Sequence, residues 1–144
     1  FTNSSASSKT FIWAWLTYNN FWNATASTGV CIINGENTFN NFKIDAGRTQ
    51  QFTAWTTTTI STFTATGTVG NVITIGSVTA SAHTLTKAGW WTISWDYLSI
   101  SYSTATPGST WYAGNNSTNG GNNSGWTFSA PVSINNWAFF GFFN

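Results

Sequence analysis

Apolar side chains recur along the chain in short bursts, and the bursts repeat. Tyr18-Asn19-Asn20-Phe21, Phe39-Asn40-Asn41-Phe42 and Ile60-Ser61-Thr62-Phe63 follow one another at 21-residue intervals. Ala82-His83-Thr84-Leu85 comes 22 residues later, and Trp95-Asp96-Tyr97-Leu98 after a further 13. A second apolar series lies between them: Cys31-Ile32-Ile33, Gln51-Phe52-Thr53, Ile73-Thr74-Ile75 and Thr92-Ile93-Ser94. Within the bursts, Phe42-Lys43-Ile44-Asp45, Phe63-Thr64-Ala65-Thr66 and Leu98-Ser99-Ile100-Ser101 alternate apolar and polar with period two, the signature of a half-buried strand. Corners are expected at Asn34-Gly35, Ala46-Gly47, Gly67, Gly70-Asn71, Gly76 and Ala88-Gly89, where Gly and Asn tolerate a positive φ. No window carries a sustained 3.6-residue apolar period with caps, so no helix is predicted.

Two short strands per repeat fit either hairpins of a sandwich or coils of a solenoid. In a solenoid, equivalent residues stack directly above one another at about 4.8 Å, so each position must fit a copy of itself. Phe21, Phe42, Phe63, Leu85 and Leu98 meet that demand, and Asn19-Asn20 over Asn40-Asn41 makes an amide ladder. The expected fold is therefore all-β, a parallel β-helix (solenoid) with coils of about 21 residues spanning 1–126. A β-sandwich or jelly roll is the alternative. Residues 127–144 form an aromatic C-terminal extension for capping or assembly.

Composition narrows the chemistry. The 144 residues include 26 Thr, 17 Ser and 17 Asn, and only 5% are charged, for a net charge of +1. An ordinary domain is about 25% charged. There is no basic field for nucleic acid, and no run approaches the roughly 20 apolar residues of a membrane span. Cys31, the single cysteine, cannot form an internal disulfide and reads as a buried thiol. The chain begins at Phe1 and has no Met, which reads as a processed product or a fragment.

Candidate catalytic groups are few. Paired-carboxylate chemistry needs two acids facing one substrate, and only Glu36, Asp45 and Asp96 are present. Asp45 and Asp96 end or flank strands and could share one solenoid face, but are expected to be solvated or to cap turns. A Ser-His-Asp arrangement would have to use His83 and Asp96, without any Gly-x-Ser-x-Gly elbow. One Cys, one His and three scattered acids fit no metal-ligand spacing, so no catalytic residue, metal or cofactor is expected. Sequons occur at Asn3, Asn23, Asn115, Asn116 and Asn122, as chance allows in a chain this rich in Asn, Ser and Thr.

Two aromatic groups carry what functional signal there is. Trp111, Tyr112 and Trp126 bracket the Asn/Gly-rich stretch 114–125 and either stack on a glycan or close the end of the solenoid. Trp137, Phe139, Phe140, Phe142 and Phe143 follow Pro131. Their burial is worth on the order of 10 kcal/mol at about 25 cal/mol per Å², so the segment either folds back on its own solenoid or packs on a neighbouring subunit, and its place after a Pro-containing linker at the chain end favours the neighbour.

The segment from Asn37 to Trp126 resembles β-solenoid repeat domains of environmental phage and bacterial surface proteins. The matching words are Asn37-Thr38-Phe39-Asn40-Asn41-Phe42-Lys43-Ile44-Asp45, Ser61-Thr62-Phe63-Thr64-Ala65-Thr66-Gly67-Thr68, Leu85-Thr86-Lys87-Ala88-Gly89, Asp96-Tyr97-Leu98-Ser99-Ile100-Ser101, and Ser109 to Gly114 through Gly125-Trp126. The resemblance implies a structural or display part. Trp55, Trp90, Trp91 and Trp95 depart from it, standing where similar sequences carry Gly or a small residue, and Trp13 and Trp15 look alike in this. A Trp at such a corner would need a backbone conformation that Gly tolerates and Trp resists.

Together these readings point to a non-enzymatic structural or display subunit of an extracellular surface or virion assembly, such as a decoration, fibre or filament protein. Its partners would be copies of itself or a capsid, tail or surface-assembly protein. A carbohydrate-binding adhesin module that takes a host glycan is the first alternative, and a polysaccharide-active β-helix enzyme the second.

Overall fold

The computed structural model describes residues 1–12 and 14–132. Fifteen strands, all paired in parallel, form three sheets among the described residues. The first sheet stacks β1 (Thr2–Asn3), β3 (Thr17–Asn23), β5 (Asn37–Ile44), β7 (Thr57–Thr64), β9 (His83–Thr86) and β12 (Ser103–Thr106) in chain order. The second stacks β2 (Lys9–Phe11), β4 (Cys31–Ile33), β6 (Thr49–Phe52), β8 (Ile73–Ser77), β11 (Leu98–Ile100) and β14 (Thr118–Asn119). Successive strands alternate between these sheets through the first four coils, and each sheet grows by one strand per coil. That is a parallel β-solenoid, not a sandwich. A third, short sheet holds β10 (Ile93–Ser94), β13 (Trp111–Tyr112) and β15 (Trp126–Thr127). The boundary expected after Trp126 falls inside β15, and Phe128 packs against the core.

Inward positions are filled by self-similar apolar residues. Phe21, Phe42 and Phe63 occupy one register, with the Phe21 and Phe42 rings stacked at 4.5 Å and the Phe42 and Phe63 rings at 5.9 Å. In β3, β5 and β7 the period-two alternation slips once. Asn19-Asn20, Asn40-Asn41 and Ser61-Thr62 are each two consecutive exposed residues, after which the apolar position turns inward again. These pairs bend the strands around an edge, and the amides stack along it: Asn41 Nδ2 donates to Asn20 Oδ1 at 2.8 Å and Asn40 Nδ2 to Asn19 Oδ1 at 3.4 Å.

The expected ladder does not continue to Leu85 and Leu98. Leu85 lies over Thr58, and Leu98 lies over Ile73 in the second sheet. The cause is an insertion. Thr17, Thr38 and Thr59 are in register at steps of 21, but Thr57 pairs with Thr84, 27 positions on. A tight turn from Thr68 to Asn71, closed by the Asn71 N–H on the Thr68 carbonyl at 2.9 Å, takes up most of the additional chain, and the connection between β8 and β9 takes up the rest. The second series shifts as well. Cys31–Ile33 pairs with Gln50–Phe52, one residue before the expected match, and Ile93 pairs with Trp111 in the third sheet. Gly76, expected at a corner, lies within β8.

The Trp residues at Gly-like corners divide. Trp15 and Trp55 adopt φ of 64° and 65°, the left-handed region where a side chain crowds the backbone. Gly35, Gly47 and Gly70 sit in the same region at corners elsewhere. Trp90, Trp91 and Trp95 are not among the positive-φ residues, and Trp13 lies outside the described residues.

Candidate functional site

The one histidine is a structural element of the core. β9 places His83 inward, fully buried, stacked on Phe52 at 4.6 Å. Its Nδ1 is 2.8 Å from Ser77 Oγ and its Nε2 is 3.1 Å from Ser103 Oγ. Ser77 gives its only hydroxyl proton to the Tyr102 carbonyl at 3.1 Å, so it must accept from Nδ1–H. Nε2 then accepts from Ser103, whose oxygen in turn receives the Trp126 indole N–H at 3.0 Å. Every proton in the chain Trp126–Ser103–His83–Ser77–Tyr102 has one place to go. Burial disfavours the imidazolium and lowers the His83 pKa to about 4, against a small opposing effect of the backbone bond to Tyr102. His83 and Ser103 are both fully buried and no acid is among the partners of the ring, so the pair is closed off from solvent and forms a neutral clasp between coils.

The acids are used in the same way. Asp45 Oδ2 accepts from the Thr25 N–H at 2.9 Å and the Thr25 hydroxyl at 2.7 Å, and Oδ1 meets Lys43 Nζ at 3.1 Å. Partial burial pushes its pKa up, but the hydrogen bonds from Thr25, Trp22 and Lys43 outweigh it and hold the carboxyl at about 2. Asp96 accepts from the Asn116 N–H at 2.8 Å, the Asn116 amide at 2.7 Å and the Tyr97 N–H at 2.9 Å. Burial, the largest single influence, raises its pKa, and these donors together outweigh it and lower the pKa. Each carboxylate ties one corner to that of an adjacent coil, as the turn-capping expectation has it. Among the described residues no three His, Cys, Asp or Glu side chains converge as metal ligands, and no helix is long and apolar enough to cross a membrane.

Trp111 and Trp126 stack in register at the C-terminal end, their rings edge-on at 5.2 Å. Trp111 is fully buried, with its indole N–H on the Thr106 carbonyl at 3.1 Å. A buried ring has no face to offer a sugar, and Trp111 instead packs inside the third sheet, between β10 and β15. Tyr112 and Trp126 are half-buried and keep part of their surface. Beside Trp111, the buried Lys87 sets its ammonium 4.9 Å over Trp91 and donates to the Gly89 carbonyl at 2.9 Å. Burial lowers its pKa. Trp137, Phe139, Phe140, Phe142 and Phe143 lie outside the described residues.

Several polar residues that matter to the core carry no motif. Asn3, Asn23 and Gln50 form a buried amide chain. Asn3 Nδ2 donates to Asn23 Oδ1 at 3.2 Å and to Ser27 at 3.0 Å, and Gln50 Nε2 donates to the Cys31 carbonyl at 3.0 Å. Asn3 and Asn23 are therefore closed to glycosylation although each begins a sequon. Cys31 is buried beneath this chain; burial raises its thiol pKa to about 11 against the lowering effect of Asn3 and Gln50. Alternation signals which residues point inward, and that was the available cue for the amides: Asn23 and Gln50 stand at apolar phase positions of their strands.

The chain matches no protein family, and neither a curated protein nor a solved structure is significantly similar to it.

Proposed function

We propose that the protein is a non-enzymatic structural or display subunit of an extracellular surface or virion assembly, associating with copies of itself or with a capsid, tail or surface-assembly protein. The observation that carries this reading is the use made of the chemical groups. His83, Asp45 and Asp96, the residues on which acid–base or nucleophilic chemistry would rest, are each engaged in hydrogen bonds that clamp one coil to another. What remains on the outside is largely Thr, Asn and Ser, with exposed apolar residues such as Trp15, Trp55 and Trp90 among them and little charge, a surface on which many copies can pack without mutual repulsion. Ladders of like residues from coil to coil make a stiff body suited to a mechanical task.

Self-association is assigned to the aromatic extension. Deleting residues 132–144 is expected to abolish assembly and leave a β-rich monomer, read by sedimentation and circular dichroism. A truncated chain that still assembles would overturn the assignment, and a truncated chain that unfolds would make the extension part of the core. The glycan-binding reading retains Tyr112 and Trp126: loss of glycan binding on Trp126→Ala with assembly intact would favour it.

A further inference from the structure

The outward side of the first sheet carries a two-rank array of threonines. Thr17, Thr38, Thr59, Thr86 and Thr106 occupy one register across β3, β5, β7, β9 and β12. Two residues upstream on each of the last three strands, Thr57, Thr84 and Thr104 form a second rank in register, continued by Ser124, which bridges to Thr104. Between the ranks Thr58, Leu85 and Ala105 point inward and are buried, so the base of the array is rigid core.

Two observations separate this face from an ordinary solvated strand surface. Its threonine hydroxyls, like those of Thr49, Thr74 and Thr118 on the second sheet and unlike those of the corner residues Thr25, Thr28, Thr53, Thr56 and Thr110, take part in none of the hydrogen bonds among the described residues and are open to a ligand. Both ranks are free of charge from β7 onward; Glu36 and Trp15 flank only the near end. The second sheet has nothing comparable. Its outward registers are the mixed column Thr10, Ile32, Gln51 and Gly76 and the single rank Thr49, Thr74, Ser99 and Thr118.

Geometry supplies the ligand. Residues two apart on a strand repeat at about 6.7 Å, and neighbouring strands lie about 4.8 Å apart. The array is thus a rectangular grid, roughly 19 Å long in the five-threonine rank, with a cleft at its near end where Trp15 and Glu36 stand beside Thr17, Thr38, Thr57 and Thr59. Both spacings are close to oxygen–oxygen repeats of the hexagonal ice lattice. Each grid point offers a methyl group, which disfavours disordered water against it, and a hydroxyl that can donate and accept. An ion or a charged polymer would find no countercharge here. We propose that this threonine face binds ice, a binding activity independent of the assembly role.

The test uses the full chain in undercooled water, with ice-affinity partition, crystal shape and thermal hysteresis as readouts. The unaltered protein is expected to concentrate in the ice fraction, to facet growing crystals and to hold the freezing point below the melting point. Thr86→Lys, at the centre of the array, is expected to lose most of that hysteresis while melting cooperatively like the parent. Thr104→Lys serves as a second variant if Thr86→Lys does not fold. Thr74→Lys, on the other sheet, is expected to retain the activity. Exclusion of the unaltered protein from ice, with unshaped crystals, would overturn the proposal. So would equal loss in Thr86→Lys and Thr74→Lys, or dimers that form through this face without any ice affinity.

Discussion

His83 and Ser103 stand in register on adjacent strands with both side chains inward, and the imidazole Nε2 accepts from the serine hydroxyl at 3.1 Å. Because the ring is held neutral, the contact makes stability depend on pH. In the unfolded chain the imidazole titrates near 6.5, and in the fold at about 4. Between those values the unfolded state binds more protons, so stability rises with pH across the window. The contribution is complete above pH 6.5 and is lost as the pH falls toward 4, a change of about 3 kcal/mol. Chemical denaturation at pH 7.5 and pH 4.5 should show the loss, and His83→Leu should flatten the slope in this window. An unchanged slope in that variant would place the titrating group elsewhere.

Trp55 and Trp15 are two of the strained corners, alongside Tyr97, Tyr102, Ser109 and Asn122. Both lie in the left-handed region and are 83% and 78% exposed, so little burial opposes the backbone cost. That cost is about 1–2 kcal/mol for a non-glycine residue, of which glycine's larger unfolded-state entropy returns about half. Trp55→Gly and Trp15→Gly are each expected to stabilise the protein by about 0.5–1 kcal/mol in denaturant titrations. Trp111→Gly, by contrast, should destabilise it by about 3–5 kcal/mol, because that ring is fully buried.

Asn41 and Phe42 are neighbours in sequence with opposite duties. Phe42 is buried between Phe21 and Phe63, and Phe42→Ala should cost about 3–5 kcal/mol. Asn41 sits on the exposed amide ladder with one bond to Asn20, and Asn41→Ala should cost about 0.5–1 kcal/mol. Comparable losses from the two variants would contradict the inward and outward assignments on either side of the bend.

The parallel solenoid was legible because a stacked coil must match itself: Phe21 over Phe42 over Phe63, and the amides beside them, repeat at an even spacing. Register beyond Phe63 was not legible. The turn from Thr68 to Asn71 lengthens one coil, and a polar β-turn leaves no trace in an apolar period. For the same reason Leu85 and Leu98 fell on the wrong neighbours. The two-rank threonine array depended on that register: Thr57 and Thr84 are 27 apart, and only the observed pairing sets them side by side. The roles of Ser77 and Ser103 were hidden differently. Two serines among 17 acquire meaning only when the fold brings His83 between them.

The oligomeric state of the full chain, read by electron microscopy with mass determination, decides whether the protein is a structural subunit. Such a subunit is expected to form filaments or symmetric clusters of uniform stoichiometry that are lost when residues 132–144 are removed. A clean monomer at working concentration, with the same mass before and after truncation apart from the deleted residues, would contradict it.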